Sequence, residues 1–184
     1  YEYNLQYNKA IIDIPKLDSG SIDSILITNA GTCYEAPFQE INLKYGLPLN
    51  PDSGNIVINE ILFNPDENGH DFIEVFNASD KPLDLSKLSF CKRNENNLLE
   101  SPFKLSYSPF LLLPNEYCVV CPDKKWLSNT FPKAINIIES SIPSMNNDAG
   151  KVVLLTHSAK IIDEVNYIEN WHYSELTNNE NVSL

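Results

Sequence analysis

Between Asn55 and Asn77 the chain reads NIVINEILFNPDENGHDFIEVFN, with two apolar runs, Ile56 to Phe63 and Phe72 to Phe76, on either side of a polar segment. The runs are β-branched and aromatic, which favours extended backbone, and Asn64, Pro65, Asp66, Asn68 and Gly69 between them are turn formers. The pattern predicts a β-hairpin. Symmetric pairing about Glu67 sets Leu62 against Phe72, Ile58 against Phe76, and Glu60 against Glu74. Two carboxylates would then face each other between apolar neighbours, which is unfavourable in a sheet. A basic side chain such as Arg93, a shared proton, a bound cation or a register-shifting bulge could relieve them.

Upstream, YEYNLQY, AIIDI and SIDSILIT predict three short strands, and GLPLNPDSGN is rich in breaker residues. Residues 1–48 therefore read as the C-terminal part of a preceding β-domain or an extra sheet, residues 49–54 as a linker, and 55–184 as a domain. Downstream, Leu83, Leu85, Leu88 and Phe90 predict a turn followed by a strand, and Phe103 to Tyr107 and Tyr117 to Cys121 read as strands. One short helix is expected after Pro122 and Asp123, through KKWLSNT to Pro132, with Trp126 and Leu127 covering an open end of the fold. KVVLLT and IIDEVNY form a last hairpin, and Ile168 to Leu184 is irregular, with Trp171 and Tyr173 as packing anchors. Many short strands with turn signals between them and one minor helix predict an all-β immunoglobulin-like sandwich.

The net charge of -12 opposes nucleic acid and anionic membrane surfaces, since both select Lys and Arg. No run is long enough to span a membrane as a helix. A chain that opens at Tyr1 and closes on Leu184 reads as an excerpt or processed form of a longer protein. Of Cys33, Cys91, Cys118 and Cys121, the last two form a C-x-x-C, but in a strand such residues point to opposite faces. Buried free thiols or a Cys91 to Cys118 cross-strand bridge are expected instead of redox or zinc chemistry.

Taken together, INEILFNP, DFIEVFN, the DLS at Asp84, NDAGKVVLL and IIDEVNY resemble the lamin-tail domain, in its bacterial surface or secreted form, over about residues 55 to 184. The resemblance implies an immunoglobulin-like sandwich preceded by the end of a similar module. It also implies a non-catalytic structural or interaction role in a cell-surface or secreted, outer-membrane-associated protein, with other protein domains as partners. The closing NVSL is similar to the family's terminal segment. The family's eukaryotic association with nucleic acid does not suit so acidic a chain.

Candidate chemistry is sparse. His70, His157 and His172 stand in no metal-ligand spacing and read as loop or surface residues. Ser106 and Ser144 lack a nucleophile elbow. No catalytic residue and no cofactor is expected. The candidate binding residues are Glu60 and Glu74, for a cation or partner, and Trp171 and Tyr173, for a ring platform that would take polysaccharide, with calcium assisting, in an accessory domain of an extracellular hydrolase or nuclease. Trp126, Tyr107 and Tyr117 are further rings for such a platform, or for plugging the core. Asn77-Ala78-Ser79 and Asn181-Val182-Ser183 match the glycosylation pattern.

Overall fold

The computed structural model describes residues 2–4, 9–28, 40–176 and 178–184. The chain divides into two compact units, Tyr1–Leu47 and Pro48–Leu184.

In the first unit β1 (Glu2–Asn4) pairs antiparallel with β2 (Lys9–Ile11), and β3 (Ile22–Ile27) with β4 (Ile41–Gly46). The pattern reading missed β4, whose INLKYG holds only three alternating apolar residues. Ile41, Leu43 and Tyr45 sit opposite Ile27, Ile25 and Asp23, so Ile25, Ile27, Ile41, Leu43 and Tyr45 share a face, with Ile22 and Leu26 on the reverse side. Ile41 and Leu43 remain exposed.

The second unit carries β5 (Ile56–Leu62), β6 (Phe72–Asn77), β7 (Leu83–Asp84), β8 (Leu88–Lys92), β9 (Phe103–Lys104), β10 (Leu111–Leu112), β11 (Tyr117–Cys121), α1 (Lys124–Thr130), β12 (Ile137–Glu139), β13 (Ala149–Thr156) and β14 (Ile161–Ile168). Two four-stranded sheets, β12-β11-β6-β5 and β14-β13-β8-β9, and the small pair β10-β7 make the sandwich. Its core interleaves Ile56, Ile58, Ile61, Ile73, Val75, Cys118 and Val120 from one sheet with Leu88, Phe90, Val152, Leu154, Ile162 and Tyr167 from the other. Burial of these side chains, at about 25 cal/mol per Å² of apolar surface, is the main stabilising force. This is the expected immunoglobulin-like β-sandwich. The short β12, which pairs parallel with β11, is an element the sequence pattern did not announce.

The hairpin forms with Leu62 opposite Phe72 and Glu60 opposite Glu74, but Ile58 faces Val75, and Val57 takes the place opposite Phe76. The expected Ile58 to Phe76 pairing is corrected by a bulge at Asn59, an extra residue that shifts the register by one. The bulge turns the Ile58 N–H away from the ladder, and the Asp163 carboxylate on β14 accepts it at 2.7 Å. One side chain thus ties the two sheets together at the irregularity.

Asp123 caps α1 by accepting from the Trp126 N–H at 2.8 Å. The helix does not plug an end of the sandwich as expected. Leu127, with Trp126 and Phe131 beside it, packs on Leu62, Phe72, Val119, Cys121 and Ile137, the outer face of the first sheet. The reason is visible in the strands, where Phe72 and Leu62 alternate away from the core and need their own cover.

The 49–54 stretch is attached to the second unit. Leu49 bridges to Leu83, Pro51 is buried, and Asp52 pairs with Lys160. The closing segment is attached as well, since Leu184 and Ile61 exchange both backbone hydrogen bonds at 2.9 Å, extending the sheet beyond β5.

Candidate functional site

Val57, Glu60 and Leu62 of β5 share the outer face of the first sheet with Phe72, Glu74 and Phe76 of β6 and with Tyr117, Val119 and Cys121 of β11. The bulge keeps Glu60 on this side, directly opposite Glu74. Neither carboxylate meets Arg93, whose guanidinium forks instead onto Glu164 at 2.9 Å for each bond. Asn59 Nδ2 donates to Glu74 Oε1 at 2.8 Å, and the Ser183 hydroxyl donates to Glu60 Oε1. The bulge lies beside the pair and leaves it facing, and partial relief comes from the two neutral donors. Partial burial, reinforced by the charge of Glu60, pushes the Glu74 carboxyl up, although the Asn59 hydrogen bond pulls the other way. For a carboxyl raised on folding, the favourable contribution is complete below the unfolded value and is lost as pH rises through the folded one. At neutral pH the Glu74 charge therefore costs stability.

Beside Glu74 the face opens into a cavity of about 430 Å³, lined by Glu116, Tyr117, Val119, Lys133, Ala134 and Ile135 among others. Ile135, between α1 and β12, is 90% exposed, and Tyr117 is 48% exposed with its ring 4.6 Å from that of Phe76. Sequence reasoning named Tyr117 only among possible platform rings and passed over Ile135 and Phe76. A lone isoleucine in a polar loop carries no periodic signal, and β6 is apolar on both faces, so its alternation does not say which side of Phe76 meets the core.

Trp171 and Tyr173 were expected to anchor the closing segment, but they are 57% and 68% exposed. A short 3₁₀ turn over Glu169–Trp171 turns these rings outward and His172 inward. The His172 ring lies 5.3 Å from that of Phe63 and bridges the carbonyls of Glu169 and Val182. Tyr173 borders a polar cavity of about 520 Å³ with Glu169, Asn178 and Asn179. Trp126 is half-buried on α1 with His70 edge-on to it, and Tyr107 is exposed.

The three described thiols are buried. Cys118 faces the core and Cys121 the outer face under α1, so the C-x-x-C residues diverge. Cys91 lies with Val153 and Leu155 on the reverse face of the other sheet. The alternative of a Cys91 to Cys118 bridge is therefore corrected, and both are buried free thiols, as is Cys121. Burial pushes the Cys118 thiol up to about 12, which keeps it protonated. Cys33 lies outside the described residues. Among the described residues no three His, Cys, Asp or Glu side chains gather to ligate a metal, and no helix is long and apolar enough to cross a membrane.

The first glycosylation pattern is closed by packing. Asn77 is fully buried, and its amide donates to the carbonyls of Lys81 and Leu112 at 2.8 and 3.0 Å. In the second, Asn181 Nδ2 donates to Asp66 at 2.8 Å and helps pin the closing segment to the hairpin loop.

The family model described as Lamin Tail Domain matches residues 50–169. No curated protein matches the chain.

Proposed function

Because this chain belongs to the lamin tail domain family, whose members are immunoglobulin-like binding or structural domains, we propose that it works without catalysis, as an interaction module of a larger cell-surface or secreted bacterial protein. The observation that carries this reading is the state of its best acid pair. Glu60 and Glu74 stand side by side on a sheet face, each held by a neutral donor. Hydrolysis at a glycosidic bond needs two acids flanking the bond in a cleft that admits the sugar, whereas this pair lies part-buried on a sheet face between apolar neighbours. The partners on this reading are other protein domains. The first unit, with the apolar side of β3 and β4 partly uncovered, is the end of a preceding β-module or an added sheet.

A second reading is favoured by one observation, the exposure of Trp171 and Tyr173, the latter lining a polar cavity. Exposed rings flanked by amide and carboxylate groups suit the apolar and hydroxyl sides of a sugar. On that reading the chain is a polysaccharide-binding accessory domain, with calcium assisting. A glycan array with and without calcium separates the two. The interaction-module reading expects no glycan retained above background in either condition. Retention that disappears in Trp171→Ala would overturn it in favour of the second reading.

A further inference from the structure

Among the described residues of the second unit, α1 covers only one end of the outer face of the β12-β11-β6-β5 sheet. α1 lies over the Leu62 and Phe72 end. The cross-strand row of Val57, Phe76 and Tyr117 lies at the other end, past the glutamate pair, with Ile135 projecting at its side. Tyr117 and Ile135 are exposed and line the cavity, with the half-buried Phe76 ring beside Tyr117, and apolar side chains grouped around a cavity are the surface a soluble domain keeps for a partner.

The charges around this face say which partner. Its carboxylates are Glu60, Glu74 and Glu116, and its cation is Lys133. Glu116 accepts from the Leu113 N–H at 3.0 Å, and the other two accept from neutral donors. Among the described residues no ion pair reaches Glu60, Glu74 or Glu116. Each carboxylate has about four lone-pair sites, so acceptor capacity remains.

We propose that this face docks an extended segment of a partner protein in which an arginine stands between aliphatic or aromatic residues. The planar guanidinium can lie over the Phe76 and Tyr117 rings while its N–H groups reach Glu74 and Glu60, and the flanking apolar side chains fill the cavity against Val119 and Ile135. An acidic segment would add a third like charge to the facing pair. A second copy of a chain with net charge -12 brings the wrong sign. Docking an arginine returns the stability that the facing glutamates cost the free domain, which gives the pair a reason to be there.

The inference rests on the interaction-module reading and names its partner. The test uses the whole chain and an immobilised synthetic library of ten-residue peptides, each with one arginine between two aliphatic or aromatic residues, and a control library with glutamate in place of arginine. The arginine set is expected to retain the protein and the glutamate set to release it. Glu74→Gln should weaken retention at least tenfold, and so should Tyr117→Ala. Glu74→Gln should also raise the thermal midpoint of the free chain, because a neutral amide removes the repulsion. Loss of binding in a variant that is more stable is not a folding defect. Equal retention of both libraries, no retention of either, or unchanged binding by Glu74→Gln would overturn the inference while leaving the module reading standing. Only glycan retention lost in Trp171→Ala would remove the reading itself.

Discussion

Asn77→Ala is expected to lower the unfolding free energy by about 3 kcal/mol, as buried donors and acceptors left unpaired each cost roughly 1–3 kcal/mol. The amide of Asn77 holds the Lys81 and Leu112 carbonyls, and its oxygen accepts from the Ser79 N–H at 3.0 Å and the Ser79 hydroxyl at 2.7 Å. Its backbone N–H donates to Glu116 and its carbonyl accepts from Asn115, each at 3.0 Å. One fully buried residue therefore joins the end of β6 to the 78–81 turn, to β10 and to the turn before β11. That last turn, Leu113 to Glu116, closes through the Glu116 N–H on Leu113, with Pro114 next and Asn115 at a φ of 61°. Asn77→Asp keeps the shape but loses both amide donors and buries a charge, so it should cost at least as much. Urea denaturation of each variant against the parent measures this, and a change below about 1 kcal/mol would show that the network relaxes freely.

Gly150→Ala is expected to cost about 2–3 kcal/mol, the range in which overpacking a filled site falls. Gly150 on β13 pairs with Tyr167 on β14, and the tyrosine ring folds back over the glycine. A Cβ there would stand 2.4 Å from the Tyr167 oxygen and 2.6 Å from the ring carbon that bears it. The ring cannot give way, as it stacks on Phe63 at 4.6 Å and its hydroxyl donates to the Asn146 carbonyl at 3.0 Å. Pairing the change with Tyr167→Leu should recover part of the loss, so a double-mutant cycle will show non-additivity. Additive effects would mean that the ring does not occupy the space above Gly150.

The hairpin was legible because strand periodicity and turn chemistry agree over more than twenty residues, and the facing of Glu60 and Glu74 followed from counting. The bulge at Asn59 was open as one remedy among several. Nothing in a single strand says which residue will be extra, since the choice depends on Asp163 in another sheet accepting the displaced N–H. Trp171 and Tyr173 read from the sequence either as anchors or as a ring platform, and the turn that faces them outward brings the His172 ring against Phe63 instead. The short β12 and the position of α1 were illegible for a common reason. Both answer to residues distant in the chain: β12 extends the sheet at the edge of β11, and α1 covers the reverse side of strands whose two faces are apolar, where a sequence does not show what lies against the second. The uncovered part of that side, at Val57, Phe76, Tyr117 and Ile135, emerges only once α1 is in place.

The account assigns the working surface to this half-covered sheet face, and amide chemical-shift mapping addresses that assignment most directly. Titrating the isotope-labelled chain with a retained arginine peptide should move the resonances of Glu74, Tyr117, Val119 and Ile135 together, with Trp171 and Tyr173 unmoved. Shifts centred on Trp171 and Tyr173, with the sheet face silent, would contradict it.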